Sequence, residues 1–172
     1  MTESIPSTPL QPAQKGLTTF QEMFDFFLSG ITDDMFMEMT KEDTEEMLQE
    51  LLVAAVPRFE FPRWGHPFDL DLKNKTFTTH LSMEEMIIIR YYMISEWLSF
   101  QIANVDLVRQ KYSSTDFSFT SQAAHLKQLM VLKQEYERQA FHQQRLYCRR
   151  RPDKQGVMRS TFGDIMEPVK WR

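Results

Sequence analysis

From Leu17 onward the chain sets apolar residues at the three-and-four spacing of a helix face, with Phe20, Phe24, Phe27, Leu28 and Ile31 on one side. The spacing predicts a short amphipathic helix ending near Gly30, whose apolar face needs a partner. A second stripe follows. Thr40 with Asp43 three residues on has the form of a capping box, and Met47, Leu48, Leu51, Leu52, Ala55 and Val56 share one face until Pro57 stops the helix. Glu42, Asp43, Glu45 and Glu46 fill its first turns, where the helix dipole favours negative charge. From Arg58 to Trp64 aromatic and charged residues alternate between two prolines, which predicts an extended segment pinned across the bundle.

The period then changes to two. Phe68, Leu70 and Leu72 alternate with polar residues, a Lys-Asn-Lys turn sequence surrounds Asn74, and Phe77, Thr79 and Leu81 alternate again. Residues 68–81 therefore read as a small β-hairpin, which must pack on the helices or on another subunit because an isolated hairpin is marginal in water. Ser82 and Glu85 form a second capping box and open the most apolar helix, from Met83 to about Tyr112. Met86, Ile87, Ile89, Met93, Ile94, Trp97, Leu98, Ile102, Val105 and Val108 cover more than one of its faces, the pattern of a central helix. A loop from Ser113 to Phe119 precedes a last helix, capped by Thr120 or Ser121 and running to about Cys148. Its apolar stripe is narrow, and its length of roughly 42 Å carries its far end towards a partner. Arg149, Arg150 and Arg151 follow, then Pro152, then a segment containing Val157, Met158, Phe162, Ile165, Met166 and Trp171. A free tail is usually poor in such residues, so this one is expected to order against another chain.

Residues 1–16, with Pro6, Pro9 and Pro12 among small polar residues, predict a disordered N-terminal arm. Residues 17–151 form a helical bundle domain carrying hairpin 68–81, and residues 152–172 form an extended C-terminal docking tail. The expected fold class is mainly α. The net charge of -4 conceals a gradient: residues 1–60 hold 3 Lys/Arg against 12 Asp/Glu, residues 61–137 hold 8 against 9, and residues 138–172 hold 9 against 3. Acid first and base last suits a charged partner, nucleic acid or head-to-tail contact between copies.

Catalytic chemistry finds no footing. His66, His80, His125 and His142 are scattered without a metal-binding spacing, and His125 and His142 lie about 25 Å apart on one helix. The single Cys148 excludes an intramolecular disulfide and a multi-Cys zinc site, and phosphate-binding glycine loops are absent. No cofactor, metal or enzymatic activity is expected. The strongest apolar stretch, Met86 to Ile102, is interrupted by Arg90 and Glu96, so no membrane segment is expected either. The helical spacing of Trp97 with Met93, Ile94 and Leu98 predicts core packing rather than a platform for stacked bases.

Two segments, TKEDTEEMLQELLVAAVPRFEFPR at residues 40–63 and the stretch from EWLSFQIANVDLVRQKY at Glu96 to Arg150, resemble the neck proteins of tailed bacteriophages. The likeness is to the head-tail adaptor that forms a ring beneath the portal, and it covers roughly residues 32 to 151. It rests on helix order, the Pro-stopped acidic helix and the long final helix with a basic end. The resemblance implies a structural virion protein of the capsid-tail neck, made in the host cytoplasm. Small helical subunits, usually twelve, would make a homo-oligomeric ring around the DNA channel, close to that DNA without reading it. The partners implied are the portal protein above and a head-closure or tail protein below. Residues 149–172 occupy the place of the family's portal-docking segment, which makes Arg149, Arg150, Arg151, Arg159, Phe162, Ile165, Met166 and Trp171 the expected docking residues. The Pro-rich arm, the helix at 17–31 and the hairpin depart from the simplest form of the family. Two other readings stay open: a small helical nucleic-acid-binding protein using the basic C-terminal segment, and another neck or tail completion protein.

Overall fold

The fold is that of a computed structural model, which describes residues 16–31, 35–59, 69–112, 119–152 and 158–160. It is mainly α with small antiparallel β pairs. Helices α1 (Phe20–Leu28), α2 (Met35–Glu38) and α3 (Lys41–Ala55) lead into a 3-10 turn, Val56–Arg58. Strands β1 (Leu70–Asp71) and β2 (Thr76–Phe77) follow, then the long helices α4 (Met83–Tyr112) and α5 (Phe119–Cys148), then β3 (Arg150–Pro152) and β4 (Met158–Ser160).

Thr19 begins α1 as a full capping box: its hydroxyl oxygen accepts from the Glu22 N–H at 3.2 Å, and the Glu22 carboxylate accepts from the Thr19 N–H at 3.0 Å. Phe20, Met23, Phe24 and Phe27 bury the predicted face. No basic residue lies in the last turn of α1, and Arg90 from α4 supplies the cation there. Its guanidinium lies over the Phe26 ring at 4.7 Å, and a Cβ on Gly30 would come within 2.2 Å of it. Gly30 is thus required for this close approach.

Thr40 caps α3, accepting from the Asp43 N–H at 3.2 Å. The return bond differs from a capping box, because the Asp43 carboxylate accepts from the Thr40 hydroxyl at 2.7 Å and not from its backbone. Leu48, Leu51, Leu52, Ala55 and Val56 are buried as the stripe predicts. Pro57 does not end helical structure at once, since the 3-10 turn carries Arg58 round before the chain departs at Phe59, which is buried. The remainder of the extended segment read from the sequence, residues 60–64, lies outside the described residues.

The predicted hairpin is present but short, with Leu70 opposite Phe77 and Asp71 opposite Thr76. One Asp71 carboxylate oxygen accepts from the Lys73 and Asn74 N–H groups, both at 3.1 Å, and Lys75 takes the left-handed backbone (φ 53°) that closes the turn. These contacts hold the Asp71 carboxyl below its usual range, chiefly through the hydrogen bonds from Asn74. The hairpin packs on the helices: Phe77 is fully buried, its ring edge-on to Phe20 at 5.7 Å, and its N–H donates to the Thr18 carbonyl at 2.8 Å. Lys75 also pairs with Glu45 of α3.

Ser82 and Glu85 cap α4 as expected, with the Ser82 N–H donating to Glu85 at 2.6 Å. At 30 residues each, α4 and α5 are about 45 Å long and run antiparallel, Tyr92 facing Gln144 and Ser95 facing Glu137. Helix α4 is central, with α1 and α3 on it as well as α5. Its fully buried residues are Glu85, Ile88, Ile89, Met93, Ile94, Ser95 and Leu98, whereas Trp97 is only partly buried at the edge of that core. Helix α5 begins at Phe119, which the sequence reading had assigned to the preceding loop.

Candidate docking surfaces

A polar seam ties the three principal helices together. The 3-10 turn delivers Arg58 to the cleft between α4 and α5, where its guanidinium donates to Glu96 at 2.5 Å and to Glu137 at 2.8 Å. The buried Ser95 hydroxyl donates to the same Glu137 oxygen at 3.0 Å, and the Tyr92 ring lies 5.3 Å from the guanidinium carbon. Burial alone would raise the Glu137 pKa, yet the hydrogen bonds from Arg58 and Ser95 and the charges of Lys133 and Arg58 outweigh it and hold the carboxyl below its usual range. Arg58 moves the other way: burial disfavours its charge, and the two carboxylates overcome that and raise its pKa. Both groups are locked in their charged forms, which suits an ionic clamp.

Further along the seam the Tyr92 hydroxyl donates to Gln144 at 2.8 Å and the Tyr147 hydroxyl donates to the buried Glu85 at 2.5 Å. Arg150 forms an ion pair with Glu84, at the same end of α4. The chain leaving α5 is therefore fastened to the start of α4. It turns at Arg149, whose N–H donates to the Leu146 carbonyl at 3.2 Å, and enters β3. Strand β3 pairs with β4 in the register Arg150 to Ser160, Arg151 to Arg159 and Pro152 to Met158.

Of the docking residues read from the sequence, Arg149, Arg150, Arg151 and Arg159 thus come together at this second hairpin. Arg150 is engaged within the chain, and Arg151 and Arg159 occupy opposite ladder positions. Phe162, Ile165, Met166 and Trp171 lie outside the described residues. Cys148, next to this cluster, has its thiol pKa raised by burial, so the neighbouring arginines do not activate it. Among the described residues no group of three His, Cys, Asp or Glu side chains could hold a metal ion, and no helix is long and apolar enough to cross a membrane.

The other surface is the far half of the α4–α5 pair. No side chain described at 99–105 or 124–139 is buried, and Phe100, Met130, Val131 and Leu132 are each more than two-fifths exposed. Of the contacts that Gly30 and Arg58 make with the long helices, those on α4 fall at Arg90, Ser95 and Glu96, and that on α5 falls at Glu137, the edge of this half nearest the core. The sequence pattern predicts that the far, C-terminal end of α5 projects, whereas Ala140 and Gln144 are buried there and it is the half before Ala140 that buries no described side chain; the pattern also leaves unread the outward stripe of charged and apolar residues along the helix. Its signal is the spacing of Lys127, Val131, Gln134, Arg138, Phe141 and Arg145, all exposed. Compared with family models, curated proteins and solved structures, the chain matches none, so its functional reading stands on this geometry and on the resemblance of its two segments.

Proposed function

We propose that this chain is a head-tail adaptor of a tailed bacteriophage: a structural subunit that forms a ring beneath the portal, around the DNA channel, and joins capsid to tail. The observation that carries the reading is the far half of the α4–α5 pair, two long helices whose described side chains there are at most partly buried. A stable single molecule has little use for such a surface, and a ring subunit, which meets its neighbours by two different faces, requires one. The resembling segments support it, since residues 40–63 begin as α3 and its closing turn and residues 96–150 comprise the second half of α4 and all of α5.

In this reading the portal-docking element begins at the β3–β4 hairpin. The Arg150–Glu84 pair fixes where the docking segment departs, so each subunit presents it from the same point. Twelve weak contacts held in one ring then act multivalently. The partner below is a head-closure or tail protein, and the channel DNA passes close by without being read.

The test is co-expression of the full chain with a portal protein, followed by negative-stain imaging and affinity co-purification. Rings stacked on the portal, lost on deleting residues 161–172 while helical circular dichroism is kept, support the assignment. A truncated chain that binds portal like the full chain overturns the docking role. Binding of duplex DNA by the isolated chain, falling steeply between about 50 and 200 mM salt in the absence of any ring, would favour the nucleic-acid reading.

A further inference from the structure

We infer that a second copy of this chain is the occupant of the outer face of α5, and that the surface it presents there is the outer face of α3. The inference rests on the ring reading and names its contact. Each helix turns one stripe away from the core. On α3 the inner positions Leu48, Leu51, Leu52 and Ala55 leave Glu42, Glu46, Glu50 and Val53 on the opposite face, all exposed. On α5 the inner positions Ala140 and Gln144 leave Lys127, Val131, Arg138, Phe141 and Arg145 facing out.

The two stripes are complementary in charge and in apolar content. Helix α3 holds five acidic residues against the single Lys41, and Glu42, Glu46 and Glu50 have no ionic partner among the described residues. The outer stripe of α5 is basic. Glu135 offsets part of it by accepting from Arg138 at 2.7 Å, which holds the Glu135 carboxyl down at about 2, while Lys127 has no such partner among the described residues. Apolar side chains punctuate both, with Val53 40% exposed on α3 and Val131 58% and Phe141 46% on α5. The α3 stripe, about 17 Å from Glu42 to Val53, fits within the α5 stripe, about 27 Å from Lys127 to Arg145.

They cannot meet within one molecule, because each is the face turned away from α4, on which both helices pack. Two copies can bring them together, and because the paired faces differ the contact is heterologous and propagates from subunit to subunit. Charge selects and orients the pairing, and the apolar residues supply the part that salt does not screen.

The experiment is charge reversal in the full chain, read by sedimentation equilibrium at about 50 and 500 mM salt. One variant carries Lys127→Glu, Arg138→Glu and Arg145→Glu; the other carries Glu42→Lys, Glu46→Lys and Glu50→Lys. Each alone is expected to weaken self-association at least tenfold at low salt with helical content unchanged, and an equimolar mixture of the two is expected to restore it. If both variants associate like wild type, this interface is wrong while the ring reading survives. A wild-type chain that stays monomeric at about 100 μM in low salt, and alongside portal, sinks both. Loss on reversing α5 with no effect of reversing α3 would also overturn the pairing, since another polyanion would then occupy α5.

Discussion

Replacing Arg58 by Met tests whether the clamp between α3, α4 and α5 contributes to stability. The substitution keeps the aliphatic stem and removes a guanidinium that serves Glu96 and Glu137 together. Breaking a fully buried ion pair by deleting one partner costs about 3 to 5 kcal/mol. Here Arg58 is 34% exposed and its partners 26% and 33%, so water screens a good part of that. Discounting by roughly half gives about 2 kcal/mol, in which the lost stacking on Tyr92 counts for about 0.5 to 1. With a urea dependence of about 2 kcal/mol per molar, the unfolding midpoint should fall by about 1 M at pH 7. The pH dependence supplies the sign. Glu137 has a lowered folded pKa, so its contribution is complete above the ordinary value of 4.5 and is lost as pH falls through the folded value. The gap between wild type and Arg58→Met should therefore narrow as pH drops from 7 to about 3.5. A gap that stays constant over that range, or one below about 0.5 kcal/mol at pH 7, refutes the clamp. A double-mutant cycle with Glu137→Gln should return a coupling of about 1 kcal/mol.

Three further expectations follow from single residues. Phe77→Ala removes a fully buried ring from the contact with Phe20 and should cost about 3 to 5 kcal/mol in urea unfolding, with the hairpin loosened from α1. Trp97→Phe deletes an indole N–H that is buried without an acceptor, so stability should hold or rise by up to about 1 kcal/mol, and a loss above about 2 would mean that the N–H is satisfied after all. Gly30→Ala pushes the Arg90 guanidinium off Phe26, for a loss of about 1 kcal/mol that should vanish in an Arg90→Met background.

Much of the fold was legible because its signals are local. Ser82 with Glu85 announces the start of α4, and Thr40 with Asp43 that of α3, within four residues each. Periodicity failed where apolar residues outnumber the faces available: Ile87, Ile88 and Ile89 are consecutive, and nothing in the sequence says that Ile88 and Ile89 are fully buried while Ile87 is half-buried. Trp97 was placed in the core by the same reasoning, although it sits at its edge. The clamp was invisible because Arg58 meets partners 38 and 79 residues away. Strands β3 and β4 were missed because Arg-Arg-Pro and Met-Arg-Ser carry no alternation, and Pro152 reads first as a helix breaker. Of the candidate docking surfaces, the basic C-terminal cluster was legible from composition. The α5 stripe needed the structure to say which way each side chain of a 30-residue helix faces.

Helices α4 and α5 are geometrically continuous but thermodynamically divided. Between residues 83 and 98 the backbone amides of α4 sit in the protein's cooperative core, and their hydrogen exchange should require global unfolding. Beyond Ser99, and in α5 before Ala140, the described side chains bury nothing fully, so those turns can open by fraying at a fraction of that free energy. The long pair thus combines an anchored root with a compliant tip. A neighbour seated on the tip would suppress its opening and slow its exchange while leaving the root unchanged, so assembly would stiffen the subunit without altering its fold.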